Sequence, residues 1–185
     1  MKKYKIEPSI TLTIDIHSLF NIVFIIRDKI GNILSMTNII KNISNYKTRQ
    51  SVIAHLDYLI QEYQPDTLIY EQNQLFIDKI DRYPDPLVMR NIKCGFGIKV
   101  SIEDKYYGIF KYILELPEQE WRKCILNTNT KYSIDLYKAH ILEQSFTEEQ
   151  LTDIELNNYY KALCLSESIW FDRLMNRKYQ INKGD

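Results

Sequence analysis

The sequence predicts a single α/β layered domain over residues 1–185. Short runs dense in Ile, Val and Thr recur between turn signals, and segments with apolar residues at helical spacing alternate with them. No repeat, low-complexity tract or long linker breaks the order, which is three strands, a helix, a strand, a helix, a strand and then helices.

The first strand lies in "SITLTIDIHS", dense in Ile and Thr over residues 10–16. "NIVFIIRD" gives a second strand, and "RDKIGN" supplies turn chemistry through Asp28 and Gly31-Asn32. "NILSMTNII" gives the third, so these strands read as an antiparallel meander. In "YKTRQSVIAHLDYLIQEYQPD", Val52, Ile53, Leu56, Leu59 and Ile60 recur at helical spacing until Pro65. "DTLIYEQ" is a short buried strand; reached through a helical crossover, it runs parallel to an earlier one. From Pro86 to about Tyr106 the pattern is helical, interrupted by Gly95 and Gly97. "IFKYILEL" is a fifth strand, ended by Pro117, and "PEQEWRKCIL" is a short helix opened by that proline. "SIDLYKAHILEQ" is a further helix, "TEEQ" at 147–150 is a capping-box pattern, and the last helix runs from about Glu155 to Met175.

Composition narrows the function classes. Lys and Arg total 24 and Asp and Glu total 24, so no global charge marks the chain for nucleic acid or membrane, although a local basic face is compatible with neutrality. Cys94, Cys124 and Cys164 are scattered without a Cys-x-x-Cys spacing, which predicts reduced thiols in a cytoplasmic or other reducing compartment. His17, His55 and His140 are equally dispersed, so no zinc pattern forms. The apolar run from Ile10 to Ile26 is broken by Asp15, His17 and Asn21, too short and too polar for a membrane span. No targeting segment is expected.

Two acids stand out. Asp15 lies within an apolar strand, and Glu71 lies at the end of another. Each is compatible with an ordinary strand-end acid. Together, on strands expected to be neighbours, they are costly unless paired or metal-bound. Converging carboxylates suit Mg²⁺, which takes oxygen ligands and supports phosphodiester hydrolysis.

The ordered set of motifs resembles the RuvC-like Holliday-junction resolvases of the ribonuclease H fold. In that family the first strand carries Asp in an Ile-Asp-Pro-Gly pattern; "IDIHS" places Asp15 there but replaces Pro-Gly with Ile16-His17. The second acid is a Glu, usually followed by Gln, after a buried strand; "LIYEQ" supplies Glu71 and Gln72. "LELPEQEWRKCIL" matches the family's proline-opened helix with two basic residues, here Arg122 and Lys123. The closing helix of the family opens Asp-x-x-Asp-Ala, and "NYYKALCLS" fits that frame with Asn158 and Lys161 in the acidic positions. The resemblance covers nearly the whole chain. It implies a mixed five-stranded sheet flanked by helices, a homodimer, and a structure-selective endonuclease cutting branched DNA with Mg²⁺ or Mn²⁺. Asp15 and Glu71 would bind metal, and Asn158 and Lys161 would complete the site. The alternative it leaves is an attenuated member that binds branched or duplex DNA as a regulatory or structural protein.

The departures set the question. Losing two carboxylates and gaining an ammonium moves the local charge by about three units, enough to disfavour a second Mg²⁺. Three accounts are open. Lys161 replaces one metal electrostatically; or Glu155, three residues before Asn158 on the same face, compensates; or the site has lost cleavage and kept binding. Actin-like ATPases also carry an Asp on the first strand, but five glycines and 185 residues leave no room for their phosphate loops.

Candidate DNA contacts are Lys47 and Arg49 at a helix start, Lys79 and Arg82 after Glu71, Arg90 and Lys93 on the next helix, and Arg122 with Lys123. Each reads equally as a solvated surface charge. In the resembling family an aromatic soon after the Glu wedges into the junction, which points to Phe76. Trp121, Tyr159 and Tyr160 read as core or interface residues, and His17 as a structural histidine. The apolar face of the helix from residue 86 is the candidate dimer interface by the same analogy.

Overall fold

The computed structural model describes residues 9–18, 21–40, 46–72, 97–117, 121–122, 153–167 and 180–181, with backbone alone at 17–18, 72, 153–158 and 180–181. Strands β1 (Thr11–Ser18), β2 (Asn21–Arg27) and β3 (Ile33–Ile39) form the expected antiparallel meander, with Ile14 opposite Phe24 and Ile25 opposite Met36. The β2–β3 turn is built by Asp28, whose side chain accepts the backbone N–H groups of Ile30 and Asn32 at 2.9 and 2.8 Å.

Helix α1 (Tyr46–Tyr63) carries the chain to β4 (Thr67–Gln72), which pairs parallel to β1 with Thr13 opposite Ile69 and Ile14 opposite Tyr70. The helix ends where Gln64 turns to a positive φ of 48° and donates its N–H to the Ile60 carbonyl at 2.9 Å, just before Pro65. Helix α2 (97–106) leads to β5 (Tyr112–Pro117), parallel to β4. Helix α3 (Asp153–Glu167) packs across β1 and β2. The five principal strands match the expected mixed sheet. A two-residue sixth strand, β6 (Gln180–Ile181), pairs antiparallel to β5 and gives the order β3-β2-β1-β4-β5-β6. Helix 133–144, the capping box at 147–150 and the parts of the expected helices over 86–96, 123–126 and 168–175 lie outside the described residues.

Strand alternation sorts the side chains to two faces. On one, Leu12, Ile14, Phe24 and Ile26 pack with Val52, Leu56 and Leu59 of α1 and with Ile98, Ile102 and Tyr106 of α2. Val52, Leu56 and Leu59 are at most 1 % exposed, and their spacing of four and three residues makes one helical stripe. Truncating any one of them to alanine would cost about 2–5 kcal/mol. The opposite face lies under α3, where Tyr160, Leu163 and Leu165 are buried. Every residue of β2 is therefore buried, which explains its unbroken apolar run. This second face carries Thr13, Asp15 and Glu71.

Candidate functional site

Register brings the two acids together. Asp15 and Glu71 each follow the last parallel pair of β1 and β4, Ile14 opposite Tyr70. Both sit at the carboxyl ends of adjacent parallel strands, where open α/β sheets place their ligand sites. The three-strand meander needs no crossover on this side, so the acids are set by β1, β4 and the helix packed over them.

Lys161 of α3 completes the group. Its Nζ donates to Glu71 Oε2 at 2.5 Å and stands 3.6 Å from Asp15 Oδ1. The Lys161 side chain is only 13 % exposed. Glu71 Oε1 accepts a second bond from the Trp121 indole at 3.2 Å. Asp15 is 1 % exposed, and neither of its oxygens accepts a hydrogen bond among the described residues. Its charge is met by the Lys161 ammonium through space. Trp121, expected as core or interface, is fully buried and also orients Glu71.

A second polar group lies at the same end of the sheet, on the α2 side. Lys99 pairs with Glu115 and stands 4.9 Å over the Tyr70 ring, while the Tyr70 hydroxyl donates to Glu103. Burial and that bond push the Tyr70 phenol well above its ordinary range. Ile14, Ile16, Tyr70, Lys99 and Ile102 line a cavity of about 20 Å³ with Asp15 and Glu71, room on the order of one water. Lys99, Glu103 and Glu115 were not foreseen; an acid and a lysine on separate amphipathic elements carry no local signal.

The other candidates divide as follows. Lys47 and Arg49 are exposed on the first turn of α1, and Arg49 borders a groove of about 500 Å³ between α1 and α2, with Tyr46, Ile98 and Ser101. Arg122 is half-buried beside Trp121. Asn158 and Glu155 lie in α3, but their side chains are outside the described residues, as is that of His17. Phe76, Lys79, Arg82, Arg90, Lys93 and Lys123 also lie outside them.

The arrangement tests the expected metal directly. A divalent ion shared by Asp15 and Glu71 would need oxygens about 2.0–2.6 Å away. Lys161 Nζ already lies 2.5 Å from one of those oxygens and 3.6 Å from another. At about 4 Å and an effective dielectric of about 20, a unit charge repels a divalent one by roughly 8 kcal/mol. The residues present therefore do not fit a metal bridging the two acids while Lys161 stands between them. Among the described residues, no group of three or more His, Cys, Asp or Glu side chains is placed to hold a metal ion.

No family model and no curated protein matches the sequence. Solved structures do match the fold. Thermus thermophilus RuvC in complex with a Holliday junction substrate aligns with a TM-score of 0.63 at 9 % identity, covering 93 % of this chain and 99 % of that one. The fold is RuvC-like. A second Thermus thermophilus RuvC structure aligns at TM-score 0.59 and 8 % identity over 92 % and 99 % of the two chains. The yeast mitochondrial Holliday junction resolvase aligns at 0.56 and 12 % identity over 92 % and 82 %. The ribonuclease H-like sheet expected from the ordered motifs is thus present, and Lys161 falls at the carboxylate pair of this RuvC-like fold.

Proposed function

We propose that the protein binds branched or duplex DNA on its RuvC-like fold as an attenuated relative of the resolvases, with little or no metal-dependent cleavage. The observation that carries the attenuation is the placement of Lys161, 2.5 Å from Glu71 and 3.6 Å from Asp15. An ammonium so placed offsets about half the charge of the acids that would otherwise gather a divalent ion. DNA as the ligand is supported by the likeness to RuvC bound to a Holliday junction and by the exposed Lys47 and Arg49. Phosphate contacts of this kind give salt-dependent affinity. A four-way junction is two-fold symmetric, so a homodimer is the assembly that suits it.

A second reading keeps cleavage: a Mg²⁺-dependent endonuclease in which Lys161 stabilises charge developing on the phosphate. It is favoured by the retention of both Asp15 and Glu71, and by the Asp15 oxygens, which accept no hydrogen bond among the described residues. The deciding experiment incubates a labelled four-way junction with the protein and Mg²⁺ or Mn²⁺, beside Asp15→Asn. A shifted but intact junction supports binding alone. Cleavage that disappears in Asp15→Asn establishes the endonuclease.

A further inference from the structure

Glu71 and Asp15 are satisfied unequally. Glu71 has a donor on each oxygen, Trp121 on one and Lys161 on the other. Asp15 is more deeply buried and has no hydrogen-bond donor among the described residues. A buried carboxylate in that condition is costly, and among the described residues the Lys161 ammonium at 3.6 Å offsets it. One ammonium between two carboxylates leaves a net charge of about −1, where a divalent ion would leave none.

We propose that Lys161 is a tethered cation standing in the place of a divalent ion between Asp15 and Glu71, and that it occludes a metal site the pair would form without it. The proposal rests on the attenuated reading above and adds what holds the site together. A tethered ammonium cannot be chelated and needs no ion from solution. The pair is therefore neutralised to the same degree with or without metal. Removing the ammonium while keeping the volume of the side chain would take the local charge from about −1 to about −2 and remove the Lys161 hydrogen bond from Glu71 Oε2. Trp121 would still hold Glu71 toward Asp15.

The test uses the full chain and Mn²⁺ as the probe. MnCl₂ is titrated by calorimetry into the unmodified protein, Lys161→Gln, and Lys161→Gln with Asp15→Asn. Thermal melting is followed with and without millimolar MnCl₂. The unmodified protein is expected to give no specific heat and an unmoved melting temperature. Lys161→Gln is expected to bind one Mn²⁺ at least about tenfold more tightly and to melt higher in its presence. The added Asp15→Asn should abolish both effects. Equal Mn²⁺ affinity in the unmodified protein and Lys161→Gln overturns the proposal, as does a folded Lys161→Gln that binds none. If Lys161→Gln is unfolded in metal-free buffer, recovery of its far-ultraviolet circular dichroism on adding Mn²⁺ supports the proposal, and no recovery overturns it. Junction binding in EDTA is measured separately by mobility shift. Its absence would refute DNA as the ligand and leave the Mn²⁺ titrations readable.

Discussion

The indole Nε1 of Trp121 donates to Glu71 Oε1 at 3.2 Å, joining a fully buried aromatic to an acid fifty residues earlier in the chain. With Lys161 on the other oxygen, this bond fixes the Glu71 carboxylate in one orientation. Trp121→Phe keeps an aromatic ring but removes the donor. The expected cost is about 1–3 kcal/mol in urea unfolding. The variant should also show a weaker dependence of stability on Lys161, read by a double-mutant cycle with Lys161→Gln. Additive losses would mean that the two donors do not act on one carboxylate.

Arg27 is a buried hub that joins β2 to the end of α3. Its Nε donates to Ser166 Oγ at 2.7 Å, Nη1 to the Gly31 carbonyl at 2.7 Å and Nη2 to Glu167 Oε1 at 3.4 Å. Both members of the ion pair have side chains only 8 % exposed. Removing one partner strands the other, so Glu167→Gln or Arg27→Met should each cost about 3–5 kcal/mol. Arg27→Lys should recover little, because an ammonium cannot reproduce three bonds from one planar fork. Chemical denaturation of the three variants checks this; an Arg27→Lys protein as stable as the unmodified one would refute the hub.

What the sequence made legible, and what it hid, follows from the range of each signal. Asp15 and Glu71 were visible because acids inside apolar strands violate a local pattern. The second strand was visible as the apolar run "IVFII", but its burial on both faces depends on α3 packing over it and is seen only in the structure. Lys161 was placed at the site only through the frame of the closing helix; its contact with both acids depends on side-chain reach across α3, β1 and β4. The Trp121–Glu71 bond was hidden, since a tryptophan after a proline reads as core whether or not its N–H has a task. Arg27 was hidden for a similar reason: a basic residue at a strand end reads as solvated, and its partners lie 139 and 140 residues away. β6 was missed because two residues carry no periodicity.

His55 gives a pH dependence with a definite sign. Its Nε2 bonds Thr37 Oγ1 at 2.7 Å, and its ring meets the edge of Phe24 with centroids 5.1 Å apart. Burial lowers its pKa below the ordinary 6.5. The folded state thus binds a proton less readily than the unfolded state. The stability from neutral His55 is fully present above pH 6.5 and falls as pH drops through that value toward the lower folded pKa. His55→Gln, which can still bond Thr37, should flatten this part of the stability–pH curve. Urea midpoints between neutral and mildly acidic pH test it; an unchanged slope in His55→Gln would assign the dependence to other groups.

Placing acids at the two helix positions where the resembling resolvases carry them is the sharpest test of what Lys161 does. Asn158 lies one turn before Lys161 in α3, so Asn158→Asp with Lys161→Asp returns both frame positions to carboxylates. The change adds about three units of negative charge over the two positions, two of them at Lys161, which stands beside Glu71 and Asp15, itself 1 % exposed. Without divalent metal, the loss of the Lys161 ammonium and its replacement by a carboxylate leave Asp15 and Glu71 without that counter-charge, and the double variant should melt below the unmodified protein. With Mg²⁺ or Mn²⁺ it should regain stability, since an ion that binds the folded state alone stabilises it by mass action. The unmodified protein should show no such metal dependence. If cleavage was lost through these two positions, the double variant should also nick a labelled four-way junction in Mn²⁺, and Asp15→Asn added to it should abolish that. Metal-dependent melting without nicking would mean that the carboxylate site can be rebuilt but that substrate placement has diverged as well. Absence of both would show that carboxylates at positions 158 and 161 do not complete a metal site with Asp15 and Glu71.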